Sequence, residues 1–332
     1  MLDINDFNQL FDFNPDCTYS QSTYNGILRN RRALDNKLFF DRLLDRLNVK
    51  CAQSSNLYPP HTNSDLRDLH HQIVSSQTAE HHKQSLLFYI LKDCKSPEPT
   101  EPADALAKDC HLPEKYRLAI DGLWALDRLQ FRTATTLLTS PLLTPTFPSE
   151  ILSTLLKHCG PSTPDADLPL AYYYAVSAPL NTEALLRSFF NHLTHSSITD
   201  AFFFSRQHPD PTRHMLFEGL IETALVHIPS LKRADAAIEL LNLPFSPEEE
   251  AWFEAFLIEG KGRSLHGARD AVVARWIAVG RVDEAWEATR NMSGRRYQGV
   301  SWEGIREGLE RGLGGRGEVG RVWRAEEAMG GV

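Results

Sequence analysis

HLPEKYRLAIDGLWALDRLQFRTATTLLTSPLLTPTFPSEILSTLL, residues His111–Leu156, is the stretch that decides the fold. Leu112-Pro113 reads as a helix start, because proline suits the first turn, where no N–H is needed. Tyr116, Ile120, Leu123, Trp124 and Leu126 then give a wide apolar face at helical spacing. A turn then leads into a second helix. Pro141, Pro145 and Pro148 stiffen a link around Phe147, and a third helix is led by Ile151 and Leu155. Three helices joined by short turns, with no catalytic constellation among them, describe a helical stack that supplies surface rather than chemistry.

The rest of the chain repeats the pattern. Leu38, Phe39, Leu43, Leu44 and Leu47 extend an apolar stripe, and the segment from about Leu28 to Leu47 reads as one long amphipathic helix. Tyr58-Pro59-Pro60 breaks the chain. Asn63 or Ser64 can cap the next helix, whose stripe is Leu66, Leu69 and Ile73. A helix from about Ala79 to Leu91 follows. Three prolines within Lys95–Pro102 mark a loop. Further helices read at about Leu168–Ser177, Thr182–Leu193, Ser197–Ser205, His214–His227, Leu231–Leu241, Ser246–Glu259, Arg269–Val279 and Val282–Thr289. Tyr172-Tyr173-Tyr174 and Phe202-Phe203-Phe204 favour strands by propensity. They sit among helix formers at helical spacing and read as helices buried on more than one side.

These features predict an all-α fold, an irregular α-helical solenoid of stacked antiparallel helix pairs. No strict repeat is visible, so families with fixed periods of about 33 or 34 residues do not fit. The expected organisation is an N-terminal segment (1–19), an α-helical domain (20–260), a helical extension (261–290) and a Gly/Arg/Glu-rich, partly disordered tail (291–332). Five of the six tryptophans lie beyond residue 250.

Composition narrows the function classes. The 332 residues are 42% hydrophobic and 23% charged, a globular balance. No apolar run approaches the ~20 residues a membrane-spanning helix needs. The acidic N-terminus, MLDINDFNQLFDF, lacks the basic and apolar regions of a signal peptide. A net charge of −8 argues against nonspecific nucleic-acid binding. The early cluster Arg29, Arg31 and Arg32 reads as a solvated helix face. The five cysteines form no C-x-x-C pair and read as reduced thiols.

Candidate chemistry dissolves on inspection. His70-His71 and His81-His82 suggest a metal, but adjacent residues on a helix point about 100° apart; solvent-facing histidines are the better reading. Asp109-Cys110-His111 pairs a thiol with an imidazole only in sequence, and Cys110 reads as a buried cysteine at a helix end. Gly315-Arg316-Gly317-Glu318-Val319-Gly320 matches G-x-G-x-x-G without the strand and βαβ unit that the dinucleotide motif requires. Glu248-Glu249-Glu250 is explained by the preference for acids in a first helical turn, behind Ser246-Pro247. The pair Asp104/Asp109 shows no paired-acid geometry. No catalytic, cofactor-binding or metal residues are expected. Trp124, Tyr116 and Phe131 read as core before they read as contacts.

The order of motifs resembles one family, the ELYS-like nuclear pore assembly domain. Phe39-Phe40-Asp41-Arg42-Leu43-Leu44 is followed by Tyr58-Pro59-Pro60, then by Lys83–Asp93 (KQSLLFYILKD). The core Leu112-Pro113, Gly122-Leu123-Trp124-Ala125-Leu126-Asp127 comes next, with Pro141, Pro145 and Phe147 behind it. Ala171-Tyr172-Tyr173-Tyr174 and Ala201–Arg206 (AFFFSR) close the series. The resemblance covers roughly residues 20–245. It implies a non-enzymatic structural or adaptor component of the nuclear pore complex at the nuclear envelope. It further implies docking on the Y-shaped outer-ring nucleoporins, with no cofactor, small-molecule substrate or membrane insertion. The family residues in this core, from Leu112 to Phe147, are expected to be mainly structural. The chain looks like the short, fungal-type form without a β-propeller. It has no Arg-Gly-Arg-Pro hook, so direct DNA binding by that route is not expected. On physics alone, a general α-solenoid adaptor in trafficking or degradation reads as well; the motif order separates the two. An all-α enzyme would instead need His, Asp or Glu converging on a pocket.

Overall fold

Prolines, capping side chains and left-handed turns cut this chain into short helices. The computed structural model describes residues 3–11, 19–49, 58–94, 101–228, 230–289, 296–297, 300–301, 303–304, 307–308 and 311. The fold is all-α and solenoid-like, with helices packing chiefly on their neighbours in sequence. The chain divides into two compact units, Met1–Leu180 and Asn181–Val332.

The first unit holds α1 (Phe7–Phe11), α2 (Gln21–Ala33), α3 (Phe39–Arg46), α4 (Asn63–Ser75) and α5 (Glu80–Leu91). It continues with α6 (Pro102–Asp109), α7 (Glu114–Asp127), α8 (Phe131–Leu138), α9 (Pro148–His158) and α10 (Leu168–Val176). Its centre is α5, where every residue from Ser85 to Leu91 is buried. A continuous apolar run has no polar face to turn outward, so this helix is enclosed by α4, α6 and α7. α7 packs in turn on α3 and α8. Gly122 makes the last contact close: a Cβ there would meet Leu138 Cγ at 2.5 Å.

Three expectations change. The single helix over Leu28–Leu47 is two helices, broken at Leu34–Leu38. Asp35 and Asn36 take positive φ (56° and 60°), a conformation these short polar side chains tolerate. Pro102 does not close a loop but opens α6 at its first turn; residues 95–100 lie outside the described set. Thr62, one residue before the expected caps, caps α4 by accepting from the Asp65 amide at 3.2 Å.

The second unit holds α11 (Glu183–Ser196), α12 (Ile198–Ser205), α13 (Asp210–Glu222), α14 (Ser230–Leu241), α15 (Pro247–Glu254), α16 (Ala268–Val279) and α17 (Val282–Thr289). Thr182, Ser197 and Ser246 accept hydrogen bonds at the N-termini of α11, α12 and α15. α13 and α15 each run on into a π-helical turn, Thr223–His227 and Ala255–Glu259. Arg296–Tyr297 and Val300–Ser301 form a short antiparallel pair. Most of the expected tail, including Gly315–Gly320, lies outside the described residues.

The aromatic triplets are helical as expected; Phe202 and Phe204, about 200° apart on α12, are both buried, whereas α10 buries only the side that carries Leu168 and Tyr172. Tyr172 and Phe202 are buried, whereas Tyr174 is 63% exposed and Phe203 47%.

Candidate functional site

In the first unit, one aspartate joins four helices. Asp127 ends α7 on the side that carries Ile120 and Leu123, and it is 3% exposed. Its Oδ1 accepts from the Phe39 amide at 2.7 Å. Its Oδ2 accepts from the Phe40 amide at 3.0 Å and from the Tyr89 hydroxyl at 2.6 Å. It therefore caps α3 from another helix, satisfying two N–H groups that a helix start leaves open. The Asp127 carbonyl accepts from Asn30 Nδ2 of α2 at 3.0 Å. Burial pushes this carboxyl up to about 7, against its hydrogen bonds.

A second carboxylate sits just past α5. Asp93 accepts from Trp124 Nε1 at 2.8 Å. It also accepts from the Tyr58 hydroxyl and pairs with Arg128. Arg31 completes the junction, bonding Asp41 at 2.8 Å and the Tyr58 carbonyl at 2.7 Å. Burial raises the phenols of Tyr58 and Tyr89 well above their ordinary range. Phe40 stacks on Tyr89 with ring centroids 4.3 Å apart. Perturbed groups mark functional sites only when they face a space where a ligand can react. These face one another, so the junction fixes geometry.

The second unit has its own ionic junction. Glu249, 0% exposed, accepts from Arg206 Nη2 at 2.6 Å and from Arg213 Nη2 at 2.7 Å. It also closes a capping box with Ser246, whose amide donates to Glu249 Oε2 at 2.7 Å. Burial opposes its ionisation, but the bonds from Arg206, the Ser246 amide and Arg213 hold the carboxyl down at about 2. Nearby, Arg275 pairs with Glu250 and donates to the Leu243 carbonyl at 2.8 Å. A separate cleft of about 670 Å³, lined in part by Leu257, Ile258, Arg263 and Trp276, opens beside the second π-helical turn.

A family model for ELYS, described as nuclear pore complex assembly, matches residues 37–260. The chain belongs to the ELYS family. Similarity extends to a relative in Schizosaccharomyces pombe, the uncharacterized protein ely5. It is 26% identical over 282 residues, spanning 85% of this chain and 86% of that protein. The ELYS match reaches into both units and takes in Asp93, Asp127 and Glu249, the three carboxylates around which the helices are tied.

Within the ELYS core, the sequence-predicted residues separate by role. Leu112, Leu123 and Leu126 are buried. Pro113 is the residue before the first turn of α7, and Gly122 gives the close approach to Leu138. Trp124 and Asp127 carry the hydrogen bonds above. Phe147 takes φ 58° at the start of α9 and is 9% exposed. Pro141 and Pro145 lie exposed in the link and touch neither junction.

Other readings are corrected or filled in. His70 is buried, not solvent-facing; it bonds the Ile4 carbonyl at 2.9 Å. His81 and His82 pack against Tyr116. Among the described residues, no group of three or more His, Cys, Asp or Glu is placed to hold a metal. Cys110 lies half-buried at the end of α6, and burial raises its thiol. In the early basic cluster, Arg29 and Arg32 are exposed but Arg31 is buried against Asp41. Sequence reasoning missed Asp93, Arg31, Arg206, Arg213 and Arg275. It explained Glu249 by first-turn charge alone. The available signal was a carboxylate on an apolar stripe: Asp127 follows Leu123 by four positions, and Glu249 precedes Phe253 by four.

Among the described residues, no helix is long and apolar enough to cross a membrane. Large apolar side chains nevertheless reach the surface, notably Leu142 at 58% and Tyr174 at 63% exposure.

Proposed function

We propose that this chain is a non-enzymatic structural adaptor of the nuclear pore complex that docks on the Y-shaped outer-ring scaffold and supports pore assembly. The observation that carries the reading is the ELYS match over residues 37–260, which spans most of the helical chain. The physical arrangement supports it. Within each unit, buried ion pairs and hydrogen bonds join helices to one another, as a docking surface needs. Localisation at the nuclear envelope follows from the same reading. We further take residues 20–260 as the functional ELYS-like region, preceded by segment 1–19 and followed by an extension (261–290) and a tail (291–332).

The test is affinity purification of the tagged chain from nuclear extract, with mass spectrometry of what stays bound. Stoichiometric outer-ring nucleoporins are the expected result, together with nuclear-rim fluorescence of the tagged protein. Coat or ligase subunits in their place would overturn the reading in favour of a general helical adaptor.

A further inference from the structure

On one face of the first unit, two arginines have no carboxylate of their own among the described residues. Arg42 and Arg46 lie four residues apart on α3, so their side chains share a face. Neither makes an ion pair among the described residues, whereas Arg31, Arg128, Arg206, Arg213 and Arg275 all do. Each instead lies over an aromatic ring. The Arg42 guanidinium is 5.4 Å from the centroid of Phe39, and that of Arg46 is 5.5 Å from Phe147. The two rings are themselves 6.5 Å apart. A contact of this kind uses the ring face and spends none of the guanidinium's N–H donors.

The end of α9 adds to the same face. Lys157 pairs with Asp35 in the turn before α3. The Asp35 carboxyl is held below its ordinary range, by Lys157 first, with His158 and Arg42 contributing. These groups therefore lie within electrostatic reach of one carboxylate. Two nitrogens here, Arg42 Nε and His158 Nε2, are buried without a hydrogen-bond partner among the described residues.

We infer that the Phe39/Phe147-backed pair Arg42 and Arg46, with Lys157 and His158 beside it, is a docking site for an acidic segment of a partner protein. Charge complementarity selects this occupant. Nucleic-acid sites neutralise a run of phosphates with many cations. A few stacked arginines match discrete carboxylates instead, which they bind in bidentate fashion. The inference rests on reading the chain as a docking protein, but not on the identity of its partner.

The probe is a fluorescein-labelled helical peptide of about 15 residues with glutamates four apart, followed by fluorescence anisotropy against the full chain. Saturable, salt-sensitive binding is expected. R42A/R46A should weaken it about tenfold or more, since truncated interface arginines are frequent hot spots. R42K/R46K should lose most of the same affinity, because lysine keeps charge but not the flat fork. R187A, an exposed arginine on α11 paired with Glu183, should change nothing. R46E, altering the more exposed partner alone, guards against a folding defect, which far-UV circular dichroism would reveal. Absent binding, equal binding by R42A/R46A, or tighter binding of a labelled single-stranded oligonucleotide would overturn the inference. Outer-ring proteins that co-purify equally with R42A/R46A would leave the pore reading standing and remove only this face.

Discussion

Replacing Asp127 by asparagine keeps the side chain's shape and removes its charge, which separates two opposing effects. The carboxylate accepts from the Phe39 amide at 2.7 Å, the Phe40 amide at 3.0 Å and the Tyr89 hydroxyl at 2.6 Å. An amide has one acceptor oxygen. One backbone N–H of α3 would therefore face an NH2 group, and a buried orphan donor costs about 1–3 kcal/mol. Ionisation acts the other way. Burial raises the carboxyl from 3.8 to about 7. A folded-state value above the unfolded one means that the group's stabilising contribution is complete below the unfolded value. It is lost as pH rises through the folded value, because the unfolded chain has already released its proton. At roughly 1.36 kcal/mol per unit, wild type should lose about 2 kcal/mol from this group between about pH 5 and pH 7. The amide of the variant would not titrate. Near pH 5 the folded wild-type carboxyl is itself protonated and its hydroxyl faces the same N–H, so D127N should lie within about 1 kcal/mol of wild type there and gain about 2 kcal/mol on it toward pH 7. Urea titrations followed by far-UV circular dichroism at matched ionic strength measure both numbers. A difference that stays constant with pH, or that shifts in favour of wild type as pH rises, would refute the reasoning: the helix-start amides would then hold Asp127 ionised despite burial.

Gly122→Ala would bring a methyl within 2.5 Å of Leu138 Cγ. It should destabilise by about 1–3 kcal/mol despite its better helix propensity, and L138A in the same chain should restore part of the loss. Strictly additive effects in thermal melts would count against that contact. Glu249→Ala strands Arg206 and Arg213 and should cost about 3–5 kcal/mol near neutral pH. Because its folded value (about 2) lies below the ordinary 4.5, the carboxylate's contribution is present above about pH 4.5 and fades as pH falls toward 2. A difference between wild type and E249A that is the same at acid and neutral pH would show that ion pairing is not its source.

The His111–Leu156 stretch was legible because its signals are local. Pro113, the turn between the first two helices and the Pro-marked link place α7, α8 and α9 where the sequence reading puts them. Thr182, Ser197 and Ser246 were legible for the same reason. The break at Leu34–Leu38 was not, since the apolar stripe of α2 and α3 runs on through it. The start of α3 is held by Asp41, which accepts from the Leu38 amide at 2.9 Å, together with Asp127, 88 residues away from Phe39. Asp93 and Tyr58, or Glu249 and Arg206, likewise meet only once the helices are packed. Periodicity tells which residues avoid water, but not which distant carboxylate satisfies a helix end.

The aromatic triplets show the same limit at the surface. Three consecutive residues on a helix fan over about 200°, so neighbours on one stacked helix cannot all face the core. In α10, Tyr172 is 1% exposed and Tyr174 63%, although the sequence around them is uniformly apolar. Composition cannot tell these two tyrosines apart, whereas their energetics must differ. Tyr172→Ala empties a packed site and should cost about 3–5 kcal/mol, as large aromatic truncations in cores do. Tyr174→Ala removes a side chain that is mostly in water and should stay within about 0.5 kcal/mol. Urea midpoints of the two variants decide the matter. Comparable losses would mean that Tyr174 is covered in solution, and that the exposed side of α10 is part of the folded core rather than of its surface.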